Sequence, residues 1–405
     1  MFFRIAFRNI FRQKRRTLLT AMTMFGGFTL SSISIAWQDG SYTYIIDQFT
    51  RMRLGHIQIH DSAYRDRPSL YKTIPDAETI GRQIEGFDRL ESWAPRVYSA
   101  GIASVGEKSA GAQIFGIDPA REHATTNFDT RVSAGSPLAR EAAAYQALLG
   151  LGLAKRLAAS VGDELVILSQ GADGSLANEL YEVVGIMESG DPMTDQASIY
   201  LHIADAQELL VLGTRVHEIA IVSHSPKGLH DFASDIAAAI DSPALLVEPW
   251  QEFNKQFYEA MKMDQEGNWV SIFVIMLVVS VCVLNTVLMS VLERTREYGL
   301  LKAMGTRPRQ VFGMVVQEVF VLALLSIAAG IIAALGVNYW LSIHGVSMPT
   351  ALDFAGVQFK DMYAEINRRS YIIPGVTVLL SALIVGLFPA LKAARTAPAV
   401  AMRAH

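Results

Sequence analysis

The sequence predicts an integral membrane α-helical protein with four transmembrane helices in a 1+3 arrangement. A mixed α/β extracytoplasmic domain is expected between the first and second helices. Three observations predict this fold class. The chain of 405 residues is 51% hydrophobic with a mean hydropathy of +0.26, which is too apolar for an ordinary soluble protein and too polar for one lying mostly in a membrane. Its apolar residues gather in four separate stretches, and basic residues flank those stretches on one side.

The four apolar stretches lie at residues 17–38, 267–292, 319–341 and 370–391. A helix needs about 20 apolar residues to cross the hydrocarbon core, and each stretch is long enough. Because a backbone inside lipid must satisfy its own hydrogen bonds, we expect all four to be helical.

The first stretch could instead be a signal peptide, since basic residues precede it. Its apolar run exceeds the usual signal core of about 7–15 residues, and no small-x-small cleavage site ends it. We therefore interpret it as an uncleaved anchor.

Basic residues near the span ends predict the orientation of the chain. They concentrate before the first stretch, between the second and third, and after the fourth. Both termini and the connection between the second and third stretches are therefore expected in the cytoplasm. The predicted segments, in order, are a basic cytoplasmic N-terminal segment (1–16), the first transmembrane helix (17–38), the extracytoplasmic α/β domain with stalk helices (39–268), the second helix (269–292), a cytoplasmic coupling helix (293–309), the third helix (311–341), a periplasmic loop (342–370), the fourth helix (371–391) and a cytoplasmic tail (392–405).

The outer domain carries strand-like alternation at residues 56–60, 164–168, 181–186 and 217–222. His56 and His60 lie on the first of these runs, where residues four apart are about 13 Å from each other. They are too far apart to share a metal ion, and we interpret them as surface or packing residues.

No enzyme motif stands out in the chain. His-Glu-x-x-His, Cys-x-x-Cys, Gly-x-Ser-x-Gly and the phosphate-binding Gly-x-x-x-x-Gly-Lys-Ser/Thr are all absent from the sequence. We expect no catalytic residue, no cofactor and no metal in this chain. The net charge of −4 offers no basic excess for nucleic acid.

A short basic segment follows the second stretch directly. Gly305 is placed to end a helix, Thr306 to cap the next one, and Pro308 fits the first turn of that helix. The segment therefore predicts a short amphipathic helix at the cytoplasmic face, with Tyr298 and Leu301 on one side. It could rest on anionic lipid headgroups, or it could dock a cytoplasmic partner.

Before the second stretch, Phe253, Phe257 and Met261 recur at helical spacing between charged residues. This pattern predicts a helix that either packs on its own domain or acts as a stalk that carries motion from the membrane.

Four motif groups, in this order along nearly the whole chain, resemble the FtsX-like permeases of ABC transporters, a superfamily that includes macrolide exporters and lipoprotein-releasing permeases. They lie at residues 7–12, at 151–186, at 294–305, and at 388–395 with Pro398. Residues 55–60, 189–195 and 199–207 are most similar to the lipoprotein-releasing permeases, of LolC/LolE type.

The resemblance implies a permease subunit of the inner membrane that is not itself an enzyme. A separate ATPase dimer would bind ATP and Mg²⁺ and dock beneath it. A second permease, self or related, and membrane lipid are further implied partners, and a periplasmic carrier or adaptor is another candidate. Closure of the ATPases would move the outer domain and expel lipoprotein or a lipid-like substrate at the outer face, a process called mechanotransmission.

The resemblance also implies which residues act. The residues expected to couple the permease to its ATPase are Arg294, Arg296, Glu297, Tyr298, Leu300, Leu301, Lys302, Met304 and Gly305. Flexible thioethers and aromatic rings suit variable acyl chains. The candidates to face substrate are Met22, Phe25, Phe28, Phe257, Met261 and Met276, with packing as the alternative explanation. Small residues in the last two stretches predict close helix packing, namely Ser326, Gly330, Ala334, Ala382 and Gly386.

Three alternative functions remain open. The chain could be a non-transporting signalling permease that regulates a periplasmic partner such as a wall hydrolase. It could be a drug or peptide efflux permease of macrolide-exporter type. A membrane enzyme is the third, and the sequence offers no catalytic constellation for it.

Overall fold

The computed structural model describes residues 14–141, 143–354 and 357–396, so the predicted motif at 7–12 and Pro398 lie outside the described residues. The chain divides into two compact units. The helical unit comprises Met1–Tyr42, Met261–Met348 and Asp361–His405, and the α/β unit comprises Thr43–Ala260 and Pro349–Lys360.

The helices are numbered along the chain. They are α1 Lys14–Phe49, α2 Ala77–Ile84, α3 Pro119–Thr126, α4 Leu151–Leu157, α5 Pro192–Asp195, α6 Ile203–Leu209, α7 Leu229–Ile240, α8 Trp250–Phe253, α9 Lys255–Glu293, α10 Thr295–Ala303, α11 Pro308–His344 and α12 Arg369–Arg395. A π-helical turn, Thr50–Leu54, follows α1, and a 3₁₀ turn, Phe128–Arg131, follows α3.

The strands are numbered in the same way. They are β1 Ile57–Asp61, β2 Leu90–Val105, β3 Lys108–Ile117, β4 Val132–Gly135, β5 Gln146–Gly150, β6 Glu164–Gln170, β7 Leu176–Met187, β8 Ser198–His202, β9 Glu218–Ser223, β10 Leu245–Pro249, β11 Val346–Phe354 and β12 Val357–Met362.

Four helices of the described chain are long and apolar enough to cross a membrane: Thr17–Phe49, Lys255–Glu293, Pro308–His344 and Arg369–Arg395. Each contains one of the four predicted apolar stretches. All four are longer than the stretches themselves, because helical backbone continues where the sequence becomes polar. The helical spacing of Phe257 and Met261 had indicated such a continuation, and both residues lie in α9.

Small residues let the membrane helices approach closely, as the sequence predicted. Ser326, Gly330 and Ala334 are buried on α11, and Ala382 and Gly386 on α12. A Cβ atom on Gly330 would lie 2.5 Å from Cδ1 of Phe28, closer than any real contact. The absence of a side chain at this glycine therefore makes room for the Phe28 ring.

Ten strands of the α/β unit form one sheet, in the order β10-β1-β9-β2-β3-β8-β5-β7-β4, with β6 paired to both β2 and β7. The four predicted strand runs are confirmed as β1, β6, β7 and β9. Strand β9 is buried along its whole length because it lies between β1 and β2.

Several buried polar groups in this unit are paired with one another. The guanidinium of Arg96 donates to Glu122 at 2.5 and 3.1 Å and to Glu218 at 2.9 Å. Nδ1 of His217 accepts from the Tyr98 backbone N–H at 3.0 Å. Such pairing is what burial of charged and polar groups requires.

His56 and His60 are buried in the sheet rather than exposed. Nδ1 of His56 accepts from the Ser223 backbone N–H at 3.0 Å, and Nε2 of His60 lies 2.9 Å from Oε1 of Gln58. Within the described part of the chain, no group of three His, Cys, Asp or Glu side chains is arranged to hold a metal ion.

The connection at 342–370 was expected to be a loop, and the structure contains two paired strands there, β11 and β12. Strand pairing satisfies backbone donors and acceptors that an irregular loop leaves to solvent.

Candidate functional site

Helix α10 occupies the segment predicted to couple the membrane helices to a partner. It starts directly after α9, because the backbone of Arg294 (φ −91°, ψ 7°) departs from helical geometry and turns the chain. It ends at Ala303, with Met304 as the C-cap and Gly305 (φ +100°) after it. The N–H of Thr306 donates to Leu301 O and that of Gly305 to Lys302 O, both at 3.0 Å. This is the glycine-dependent helix end that the sequence predicted.

The cap of the next helix differs from the prediction. Arg307, not Thr306, is the N-cap of α11, and its backbone N–H donates to Oε1 of Gln310 at 2.9 Å. The reason is Pro308, which takes the first helical position and holds the residue before it in an extended conformation. Arg307 has that conformation (φ −68°, ψ 145°).

Arg294 is the first of three side chains that fix α10 to the helices beside it. Its guanidinium, only 5% exposed, donates to both carboxylate oxygens of Glu318 on α11 at 2.9 and 3.0 Å. Burial alone would lower the pKa of Arg294, but the Glu318 carboxylate, Tyr298 and Glu297 together raise it.

Tyr298 is the second anchor. Its ring is buried in an apolar cluster formed by Val291 of α9, Val311 and Val315 of α11, and Ala390 and Ala393 of α12. Burial raises the pKa of the Tyr298 phenol to about 12, and the Glu318 carboxylate adds to this effect. The hydroxyl therefore stays protonated at physiological pH.

Lys302 is the third anchor. Its Nζ donates to the carbonyl oxygens of Ala393, Ala394 and Thr396, at 2.7, 2.8 and 2.7 Å. A cation at this place satisfies carbonyls that the end of α12 leaves unpaired and complements the negative end of the helix dipole. Partial burial lowers the pKa of Lys302.

The opposite side of α10 faces outward. Arg296, Glu297, Leu300 and Met304 are exposed at helical spacing, and we call them the outer face of α10. Met304 is 75% exposed. Leu301 is half-buried and packs against the Tyr298 cluster.

The nine predicted coupling residues thus divide into two groups. Arg294, Tyr298, Leu301 and Lys302 contact neighbouring helices of the same chain. Arg296, Glu297, Leu300, Met304 and Gly305 are exposed.

Four of the six candidates to face substrate pack against other residues of the chain. Phe28 and Met276 are buried in the same cluster of membrane helices, and Met261 is buried on α9. Phe257 stacks on Phe49 with ring centroids 3.8 Å apart. The role of these four residues towards substrate stays a prediction.

The two remaining candidates lie on α1. Met22 is exposed, and Phe25 is half-buried.

Comparison with known proteins identifies the chain. Residues 17–239 match the model of the MacB-like periplasmic core domain, which covers more than half of the sequence, and residues 269–398 match that of the FtsX-like permease C-terminal region. The chain belongs to the FtsX-like permease family, with a MacB-like periplasmic core domain.

Relatives of this permease include lipoprotein-releasing system transmembrane proteins named LolC. That of Neisseria meningitidis is 21% identical over 341 residues, 82% of each chain, and that of Xylella fastidiosa is 22% identical over 325 residues, 78% of each. The macrolide export ATP-binding/permease protein MacB of Chlorobium luteolum is 32% identical over 121 residues, 30% of this chain and 16% of that protein. The permease is therefore an ABC transporter permease of LolC/MacB type.

Sequence reasoning found the α10 segment of the permease but not its inward contacts. Lys302 follows Tyr298 by four residues, a spacing that places both on one face of a helix. This spacing was the available sequence signal that Lys302 lies on the same side of α10 as Tyr298. It could not reveal which carbonyls Lys302 reaches, because α12 lies far along the chain.

Proposed function

We propose that the chain is the membrane subunit of an ABC transporter that works by mechanotransmission. A separate cytoplasmic ATPase dimer docks on the outer face of α10, and its closure on ATP moves the membrane helices. The periplasmic core domain then extracts or exports a lipoprotein or lipid-like substrate at the outer face of the inner membrane.

The anchoring of α10 supports this proposal above all. The helix is held by an ion pair to α11, by the buried Tyr298 ring, and by Lys302 at the end of α12. A helix fixed at three points moves with its neighbours, whereas a loose linker would absorb the displacement. An outer face that leaves Leu300 and Met304 exposed is suited to a protein partner, since partly apolar patches favour protein contacts.

The membrane arrangement is part of the proposal. We place both termini and α10 in the cytoplasm and the α/β domain outside, inserted between the first membrane helix and the other three. The supporting observation is the distribution of basic residues, which concentrate in the predicted cytoplasmic segments.

The substrate class rests on the relatives that match the chain over most of its length, which are named for lipoprotein release. Among the six candidates, Met22 and Phe25 on α1 are the more accessible to an acyl chain. We propose that two permeases, identical or related, form the membrane part of the transporter.

The test of docking uses Leu300→Asp and Met304→Asp, with Met193→Asp as the matched control. Met193 is 82% exposed in the α/β unit, so the control makes the same change at similar exposure away from α10. We expect each α10 variant to weaken binding of the partner ATPase about 10- to 30-fold, the effect of losing one central apolar contact, and to reduce permease-dependent ATP hydrolysis.

Both α10 side chains are exposed, so the variants should unfold at the wild-type temperature. Wild-type ATPase binding in Leu300→Asp and Met304→Asp would refute docking on this face. Leu301→Asp is a less suitable probe, because Leu301 packs inside the chain.

The substrate class is tested separately by mass spectrometry of the purified permease complex. A bound diacyl or triacyl lipid, released when ATP is added, is the expected result. A complex that hydrolyses ATP with no bound lipid in either state would favour the signalling alternative.

A further inference from the structure

The α/β unit contains a cavity of about 200 Å³ that the proposed transport function does not use. It lies between the start of β7 and helix α6, and Tyr145, Tyr181 and three acidic residues line it: Glu179, Asp205 and Glu208. The described residues that line it include no Lys, Arg or His. The cavity therefore has a negative lining with two aromatic rings.

Two buried polar groups in this lining have no hydrogen-bond partner among the described residues. Asp205 is 1% exposed, and neither of its carboxylate oxygens is paired. Burial raises the pKa of Asp205. The ring of His202 and the backbone of Ala144 and Tyr145 favour the charged form of this carboxylate, but burial outweighs them. The hydroxyl of Tyr181 is equally buried and unpaired. Leaving such groups unsatisfied costs free energy, so the site is suited to a donor from outside the chain.

The second aromatic ring, that of Tyr145, lies at the opening of the cavity. The partly exposed Tyr145 donates its O–H to Oε2 of Glu208 at 3.2 Å, and its ring centroid lies 6.0 Å from that of Tyr181. The backbones of Tyr145 (φ 48°) and Val211 (φ 53°), which both line the cavity, lie in the left-handed region that β-branched and bulky residues rarely adopt. The surrounding fold therefore holds these two residues in a backbone conformation that their side chains disfavour.

Carboxylates beside aromatic faces are the chemistry that recognises organic cations, through charge-assisted hydrogen bonds and cation–π contacts. An anion would meet only like charges here. Within the described residues no three His, Cys, Asp or Glu side chains are grouped to hold a metal ion, which disfavours a metal. One water takes about 30 Å³, so the cavity has room for a few heavy atoms, the size of an alkylammonium group.

We propose that this cavity binds an organic cation, a protonated primary amine or a guanidinium group. Asp205 is its counter-ion, and the Tyr181 hydroxyl accepts a second hydrogen bond.

The test is titration calorimetry of the full-length permease in detergent with n-butylammonium and n-butylguanidinium. Asp205→Asn removes the charge while keeping the shape, Tyr181→Phe removes only the hydroxyl, and Asp235→Asn removes a charge from the exposed face of α7. We expect saturable binding that Asp205→Asn weakens about tenfold or more and Tyr181→Phe about two- to tenfold. The Asp235→Asn control should bind as the wild type does.

Thermal unfolding separates loss of the site from loss of the fold. Because Asp205→Asn removes an unpaired buried charge, the ligand-free variant should unfold at the wild-type temperature or above it. Equal affinity in wild type and Asp205→Asn would overturn the proposal, and so would absence of saturable binding. Ca²⁺ that binds in place of the amine would overturn it in favour of a metal.

The source of the cation is distinguished by two further probes. Tighter binding of 1,4-diaminobutane than of n-butylammonium would indicate a free diamine. Tighter binding of Nα-acetyl-lysine N-methylamide would indicate a side chain of a partner protein. Either result upholds the cation site, whereas failure of both probes together with the two butyl cations would refute it.

Discussion

The ion pair between Arg294 and Glu318 should determine how firmly α10 is held. Glu318→Gln removes the negative charge that accepts two hydrogen bonds from the buried guanidinium. Breaking a buried pair by removing one partner costs about 3–5 kcal/mol. Glu318 is 19% exposed, which reduces the penalty, so we expect about 3 kcal/mol, the low end of that range.

Hydrogen exchange of the α10 amides is the suitable assay, since the loss should appear as local opening rather than global unfolding. Each 1.4 kcal/mol changes an equilibrium constant tenfold, so about 3 kcal/mol corresponds to roughly 100-fold faster exchange. Amides of the α/β unit should keep their wild-type rates.

Glu266→Gln is the control, because Glu266 is an exposed acid on α9. The double variant Arg294→Met/Glu318→Leu should recover most of the protection, since removing both charges leaves neither one unpaired. Less than threefold faster exchange in Glu318→Gln would refute the inference that this pair anchors α10.

Three further predictions concern packing, pH and the third anchor. Gly330→Ala should destabilise the helical unit by about 1–3 kcal/mol through its clash with Phe28, whereas Gly313→Ala, with open space around it, should be neutral or stabilising by thermal unfolding. Burial lowers the pKa of His217, so the unfolded chain binds the proton more readily. The α/β unit should therefore lose stability as the pH falls below about 6.5, and His217→Gln should reduce that loss in unfolding measured from pH 7.5 to 5.5. Lys302→Met should speed hydrogen exchange in the last turn of α12, and unchanged exchange there would contradict its capping role.

The parts of the fold predicted from sequence are those with strong periodic or compositional signals. Uninterrupted apolar stretches predicted the four membrane helices, and alternation predicted β1 and β9. The order of strands in the sheet was beyond reach, because it depends on pairings between residues far apart, such as Ile57 with Pro249. Strands β11 and β12 were missed because Pro349 interrupts β11 and the alternation in β12 spans only four residues, Val357–Lys360.

The sequence predicted the α10 segment as the candidate site, but it did not predict what the apolar side of this helix contacts. Tyr298 and Leu301 were recognised as one apolar side of α10, which agrees with the structure, but that side faces the same chain. An apolar face on a short helix has the same sequence pattern whether it packs on its own chain or binds a partner. The charged residues carry the distinction here, since Arg294 and Lys302 each reach an acceptor on another helix.

The inward contacts change what a substitution in this segment would measure. A variant at Tyr298 or Lys302 alters both the attachment of α10 and any partner contact, so loss of ATPase coupling would not separate docking from transmission. Variants at Leu300 and Met304 alter only the outer face, and Glu318→Gln alters only the attachment. We expect the Leu300 and Met304 variants to abolish ATPase binding, and Glu318→Gln to preserve binding but uncouple hydrolysis from substrate release. Docking and transmission would then be separate steps, carried by opposite faces of one nine-residue helix.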